Sequence, residues 1–148
     1  MAEGLLKSMW SKDWNPAPVI HSAGTHATEG LPAEPFAVRV AGEYGVDIRA
    51  HRSRALDAAI VKKADLILAV TQQHVDFIRN SVGGGSGNLR LLCGLNADSA
   101  QYDVKDPYGG SLDTYRECAR MISGCLAHVV THFIENSGGK KMPGSLSG

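Results

Sequence analysis

The residues best suited to chemistry stand in one short run, Asp106-Pro107-Tyr108-Gly109-Gly110-Ser111. Pro107 and the glycine pair mark a turn, and Ser111 or Asp113 is placed to cap the apolar-periodic segment that follows. One carboxylate and one aromatic ring are thereby set on a loop leading into a helix. A loop carboxylate beside an aromatic wall suits a general acid that protonates an aryl leaving group. Asp-Pro also opens ordinary turns, so a solvated Asp106 without a chemical role is the plain alternative. Elsewhere, His128 and His132 stand four apart, a spacing that can hold a metal. No third ligand is near them, so a surface or partly buried pair is expected and no metal site. Trp10 and Trp14 flank a loop and are expected to pack into the core rather than line a cleft mouth.

The elements that position Asp106 follow from the rest of the chain. With 148 residues, 43% of them hydrophobic, the chain suffices for one globular domain with a real core. Lys+Arg and Asp+Glu both number 15, so charge gives no reason to expect nucleic acid or an anionic membrane as partner. The cleanest apolar run, Leu66 to Val70, is far too short to span a bilayer, and no secretory signal opens the sequence. Three cysteines make no framework of pairs, which leaves the cytoplasm as the expected location.

In order, helical spacing is read over Met1 to Trp10, then a short strand over Val19 to Gly24. Pro35 to Tyr44 is helical and stopped by Gly45, and Val46 to Arg54 is a connector with a basic cluster. Leu56 to Lys63 returns to helix. Ala64 to Val70 is the strongest strand, a near-continuous apolar run of the kind a parallel strand covered on both faces needs. Gln72 to Asn80 is helical, Gly83 to Gly87 a flexible connector, and Leu89 to Cys93 a third strand. The long last helix runs from Leu112 to Ile134, with Tyr115, Cys118, Ala119, Ile122, Leu126 and Val129 inward. One domain is expected over residues 1–135, followed by a disordered tail over 136–148. Strands alternating with helices argue an α/β fold, a parallel sheet flanked by helices, whose ligands bind beyond the carboxyl ends of the strands. Ser22 and Thr71 lie at such ends, and Asp106 follows the last strand on the same edge.

Taken in order, Ser22-Ala-Gly-Thr25, Gly30-Leu-Pro32-Ala-Glu-Pro35-Phe-Ala-Val38, Gly45-Val-Asp-Ile48, His51-Arg-Ser-Arg54, Ala64-Asp-Leu-Ile-Leu68 and Asp106-Pro-Tyr-Gly-Gly-Ser111 resemble low-molecular-weight protein tyrosine phosphatases. The likeness is to their bacterial branch, which includes protein-arginine phosphatases, and a run of collinear motifs is far more specific than any single one. The resemblance implies a four-stranded parallel sheet and, at the end of the opening strand, a Cys-x5-Arg-Ser phosphate loop. There a thiolate attacks phosphorus while backbone N–H groups and Arg hold the phosphate oxygens. It also implies that Asp106 is the general acid and that Tyr108 forms part of the aromatic wall that binds substrate. Ser22 and His51 would brace the phosphate loop by hydrogen bonds. Substrates would be a phosphorylated protein, carrying phosphotyrosine or phosphoarginine, or a small phosphomonoester, and no cofactor is called for.

The sequence departs from the family at its start. Met1-Ala2-Glu3-Gly4-Leu5-Leu6 resembles the residues just after the phosphate loop, so that loop and the first, central strand are read as absent. No Cys-x5-Arg occurs, because Ser99, Gly124 and Thr131 stand six residues after Cys93, Cys118 and Cys125. All three cysteines are expected to be inert core residues. Arg52 and Arg54 are expected to be structural or solvated charges. The polypeptide as written is accordingly expected to be an inactive phosphatase, with strands that either face a gap or slide together to close it. The alternatives are a phosphatase whose amino-terminal residues precede Met1, a non-catalytic relative that binds a partner or phosphate, and an arsenate-reductase-like relative.

Overall fold

The computed structural model describes residues 1–10, 17–83, 87–95 and 102–136. Its elements are α1 (Ala2–Met9), α2 (Pro35–Glu43), α3 (Ala58–Lys63), β1 (Ile67–Ala69), α4 (Gln72–Ser81), β2 (Leu89–Leu91), a 3-10 turn (Leu92–Leu95) and α5 (Leu112–Asn136). Local chemistry sets most of the helix ends. Pro35 opens α2 with a preset φ and no N–H to satisfy. Gly45, at φ 73°, closes it, with Val46 N–H donating to Ala41 O (3.0 Å) and Gly45 N–H to Gly42 O (2.9 Å). Asp57 caps α3 by accepting from Ile60 N–H at 2.7 Å, and Ser111 Oγ accepts from Thr114 N–H at 3.3 Å at the start of α5.

β1 and β2 pair in parallel, Ile67 with Leu89, Leu68 with Arg90 and Ala69 with Leu91. The two-residue period of β1 sends its side chains to opposite faces. Leu68 and Val70 pack on a core built from Leu5, Val46, Ile48, Leu92, Leu126 and Val129, between α1 and α5. Ile67 and Ala69 pack on a second cluster with Val61, Val75, Ile78 and Leu89, under α3 and α4. Helices thus cover both faces of the sheet. In α5, Tyr115, Ala119, Ile122, Cys125, Leu126 and Val129 form the buried stripe, while Cys118 is only half-buried. No described helix is long and apolar enough to cross a membrane.

Several expectations need correction. Val19 to Gly24 is not a strand: its pairing is a single bridge from Gly24 to Ala55, and Val19 is 82% exposed. A strand forms only where a neighbour offers a run of backbone groups, and among the described residues β1 pairs with β2 alone. The expected strand over Leu89 to Cys93 stops at Leu91, where the chain winds into the 3-10 turn. Of the apolar run Leu66 to Val70, only Ala69 is fully buried. Cys93 and Cys125, expected to be unpaired, are joined as a disulfide with Cα atoms 5.0 Å apart. The 3-10 turn lays Cys93 on the face of α5 that carries Cys125, an adjacency that 32 residues of separation conceal. Of the expected tail 136–148, Asn136 instead closes α5, and residues 137–148, like Trp14, lie outside the described residues.

Close packing also accounts for Gly4. A Cβ there would stand 2.8 Å from both Ile48 Cγ2 and Val46 Cγ1, side chains of the main core. Gly4→Ala is therefore expected to destabilise the fold by about 1–3 kcal/mol through overpacking, read as a lower urea midpoint at an unchanged slope.

Candidate active site

The Asp106 loop is tied to the carboxyl end of β1. Val104 N–H donates to Val70 O at 2.9 Å, and Asp103 Oδ1 accepts from Gln72 N–H at 2.8 Å in the first turn of α4. Thr71 caps the same helix, its Oγ1 accepting from His74 N–H at 3.2 Å. The chain then turns. Asp106 Oδ1 accepts from Tyr108 N–H at 3.0 Å, and Gly110 N–H donates to Pro107 O at 2.9 Å. Gly109 sits at φ 75°, the positive angle that the third position of this turn requires, which explains the glycine. Asp106 is exposed, and Tyr108 is 73% exposed.

Behind the loop lies α5. Burial pushes the Tyr115 hydroxyl above its ordinary pKa, and the charges of Glu34 and Asp106 add to the shift. Burial likewise raises the Cys118 thiol, again with Asp106 contributing. Cys118 is therefore held as a thiol, the form that does not attack. Met1, at the start of α1, is within electrostatic reach of both Cys118 and Glu3.

Ser22 and His51 meet on Glu3. Ser22 Oγ donates to Glu3 Oε2 at 2.5 Å, His51 Nδ1 stands 3.8 Å from the same oxygen, and Lys7 pairs with Oε1 one turn on. Burial alone would raise the Glu3 carboxyl, but the hydrogen bonds from Lys7 and Ser22, with the charges of Lys7 and His51, outweigh it and hold it below its ordinary 4.5. A carboxyl depressed on folding stabilises the fold above its unfolded pKa, and that contribution disappears as pH falls through the folded value. The stability difference between the natural chain and Glu3→Gln is thus expected to be present at pH 6 and to be lost as pH falls below 4.5 through the lower folded value, as read by urea unfolding.

Glu3 was not among the residues singled out from the sequence. Its i,i+4 pairing with Lys7 was readable there, but its bond to Ser22, 19 residues away, was not. The structure thus brings Ser22 and His51 together and places Asp106 beside Tyr108. Ser22 and His51 are joined through Glu3 of α1, and Asp106 contributes to the electrostatics of Cys118 on α5. A groove of about 410 Å³ opens beside Glu3, Ser22 and His51, and Asp106 does not line it. Among the described residues no cluster of three metal-ligating side chains occurs, and His128 and His132 are both exposed.

This fold is that of a known class. Residues 1–137 match the low molecular weight phosphotyrosine protein phosphatase family. The chain belongs to that family. It is 33% identical over 122 residues to the probable low molecular weight protein-tyrosine-phosphatase EpsP of Ralstonia nicotianae, covering 82% of this chain and 78% of the relative. It is 34% identical over 117 residues to the protein-arginine-phosphatase of Bacillus subtilis, covering 79% and 76%. Among solved structures, a mutant YwlE arginine phosphatase with a phosphorylated active site serine superposes with a TM-score of 0.81 at 30% identity, covering 91% and 87%.

Proposed function

We propose that these residues form the proton-donor side of a site that cleaves the P–O bond of phosphotyrosine or the P–N bond of phosphoarginine in proteins, or a small phosphomonoester. Asp106 would protonate the leaving oxygen or nitrogen as its bond to phosphorus breaks. The resulting carboxylate would then take a proton from the water that releases phosphate from the enzyme. Tyr108 would flank the departing group, and Ser22 and His51 would brace the phosphate-holding loop. The observation that carries this reading is the double tether of the 103–106 segment to the end of β1 and the start of α4. Ligands of parallel sheets bind beyond the carboxyl ends of the strands, so a loop held there supports a role for its Asp106 carboxylate. Family membership and likeness to both tyrosine and arginine phosphatases support the substrate class.

Within the 148 residues no cysteine is followed by Arg at the sixth position, and Cys118, the unpaired one, is kept protonated. The polypeptide of these residues is therefore expected to show negligible turnover of p-nitrophenyl phosphate. Clear, vanadate-sensitive hydrolysis by the purified chain would refute this. Retention of phosphate or phosphopeptide without turnover, in a form carrying a nucleophile loop, would favour a binding relative instead.

A further inference from the structure

The groove beside Glu3 carries charge that the proposed chemistry does not use. Its two acids are already engaged: Glu3 by Lys7 and Ser22, Asp47 by the Arg49 guanidinium, which donates Nη2 at 2.6 Å and Nε at 3.0 Å. Arg52 and Arg54 also line it, are exposed, and among the described residues pair with no carboxylate. Their spacing follows from the backbone. Residues 52–55 run between the bridges Pro32–Arg52 and Gly24–Ala55. Between the two arginines, Ser53 Oγ turns to the 28–31 segment, donating to Thr28 O and accepting from Leu31 N–H at 2.9 Å. In extended chain alternate side chains share a face, so Arg52 and Arg54 present two guanidinium groups to the groove from Cα positions about 6–7 Å apart. Arg52 is already oriented, its Nη1 donating to Arg49 O at 3.0 Å and His51 O at 2.7 Å. Its remaining N–H groups are left for a carboxylate, with less ordering entropy to lose on binding.

We propose that this groove binds an extended acidic peptide whose carboxylates stand two residues apart, one on Arg52 and one on Arg54. An extended ligand repeats side chains on one face at the same interval as the two arginines, and Arg–carboxylate contacts are charge-assisted and directional. A lone inorganic anion engages one guanidinium and gains nothing from the spacing. Asp106 lies outside the groove, while Ser22 and His51, which the proposed function has brace the phosphate-holding loop, line it; the peptide is held by Arg52 and Arg54 and needs no contact with that pair.

The test is fluorescence anisotropy of the 148-residue chain with three labelled nonapeptides: glutamates at alternate positions, the same glutamates in one block, and glutamine at every acidic position. The alternating peptide is expected to bind about tenfold tighter than the glutamine peptide and tighter than the block. Arg54→Ala is expected to weaken it about five- to tenfold, and added NaCl to weaken it further. Arg52→Ala should act similarly, with circular dichroism confirming that the variant is folded. Arg54→Glu leaves the backbone anchors of Arg52 intact and should abolish binding, so the test stands even where Arg52→Ala unfolds. Equal affinity for the alternating and glutamine peptides, equal affinity for the alternating and block peptides, or unchanged affinity in Arg54→Ala would overturn the proposal. Displacement by inorganic phosphate at micromolar concentration would also overturn it, by marking a simple anion site.

Discussion

A chain extended ahead of Met1 by an apolar strand and a Cys-x5-Arg-Ser loop is expected to hydrolyse p-nitrophenyl phosphate up to about 10⁶-fold faster than the 148 residues alone. The size follows from how such sites work. Thiolate, phosphate-holding loop and acid act as a unit, so the acid alone has no phosphoenzyme to form or resolve. Among the described residues, the edge of β1 opposite β2 carries no strand, and Ser22 and His51 meet on Glu3 in the first turn of α1. In the extended chain Asp106→Asn is expected to lower kcat by about 10²- to 10⁴-fold with folding unchanged, because the side chain is exposed. Extension without gain of activity, in a chain shown to be folded, would mean that the loop after β2 is not placed to serve a nucleophile.

The second large effect concerns stability. Removing the Cys93–Cys125 crosslink by Cys125→Ala is expected to cost about 3–4 kcal/mol, the chain-entropy value for a bridge spanning 32 residues. Both cysteines are buried, so the substitution also leaves a small void between the 3-10 turn and α5. Urea unfolding without reductant measures the loss, and the natural chain unfolded with dithiothreitol should move toward the variant. An unchanged midpoint in both would show that the two sulfurs are not bonded in solution. The bridge secures the turn that follows β2, so its loss is also expected to speed amide exchange near Leu92, read by hydrogen exchange.

What could be read from the sequence was what local chemistry dictates. Gly45 ended α2 because a positive φ there lets two N–H groups close the helix, and Ser111 capped α5 as its hydroxyl allows. The apolar spacing of α5 gave its buried stripe, apart from Cys118, which is half-buried, and Cys125, which the reading left out. Long-range partnerships were hidden. Val19 to Gly24 has strand composition, yet composition cannot supply the neighbouring backbone that a strand needs, and the segment pairs only at Gly24. Cys93 and Cys125 looked like separate core residues because their contact exists only once the 3-10 turn lies on α5. Of the candidate site, the turn that carries Asp106 and Tyr108 was legible from its proline and glycines, whereas Ser22 and His51 were singled out by resemblance alone. Glu3, the residue on which the latter two converge, was not.

Whether Asp106 donates the proton is tested most directly by leaving-group dependence in the extended chain. Phenyl and p-nitrophenyl phosphate differ in how much their departing oxygen needs a proton as the bond breaks. If Asp106 supplies it, Asp106→Asn should depress kcat for phenyl phosphate far more than for p-nitrophenyl phosphate. An equal loss for both esters, or no loss for either, would contradict the assignment.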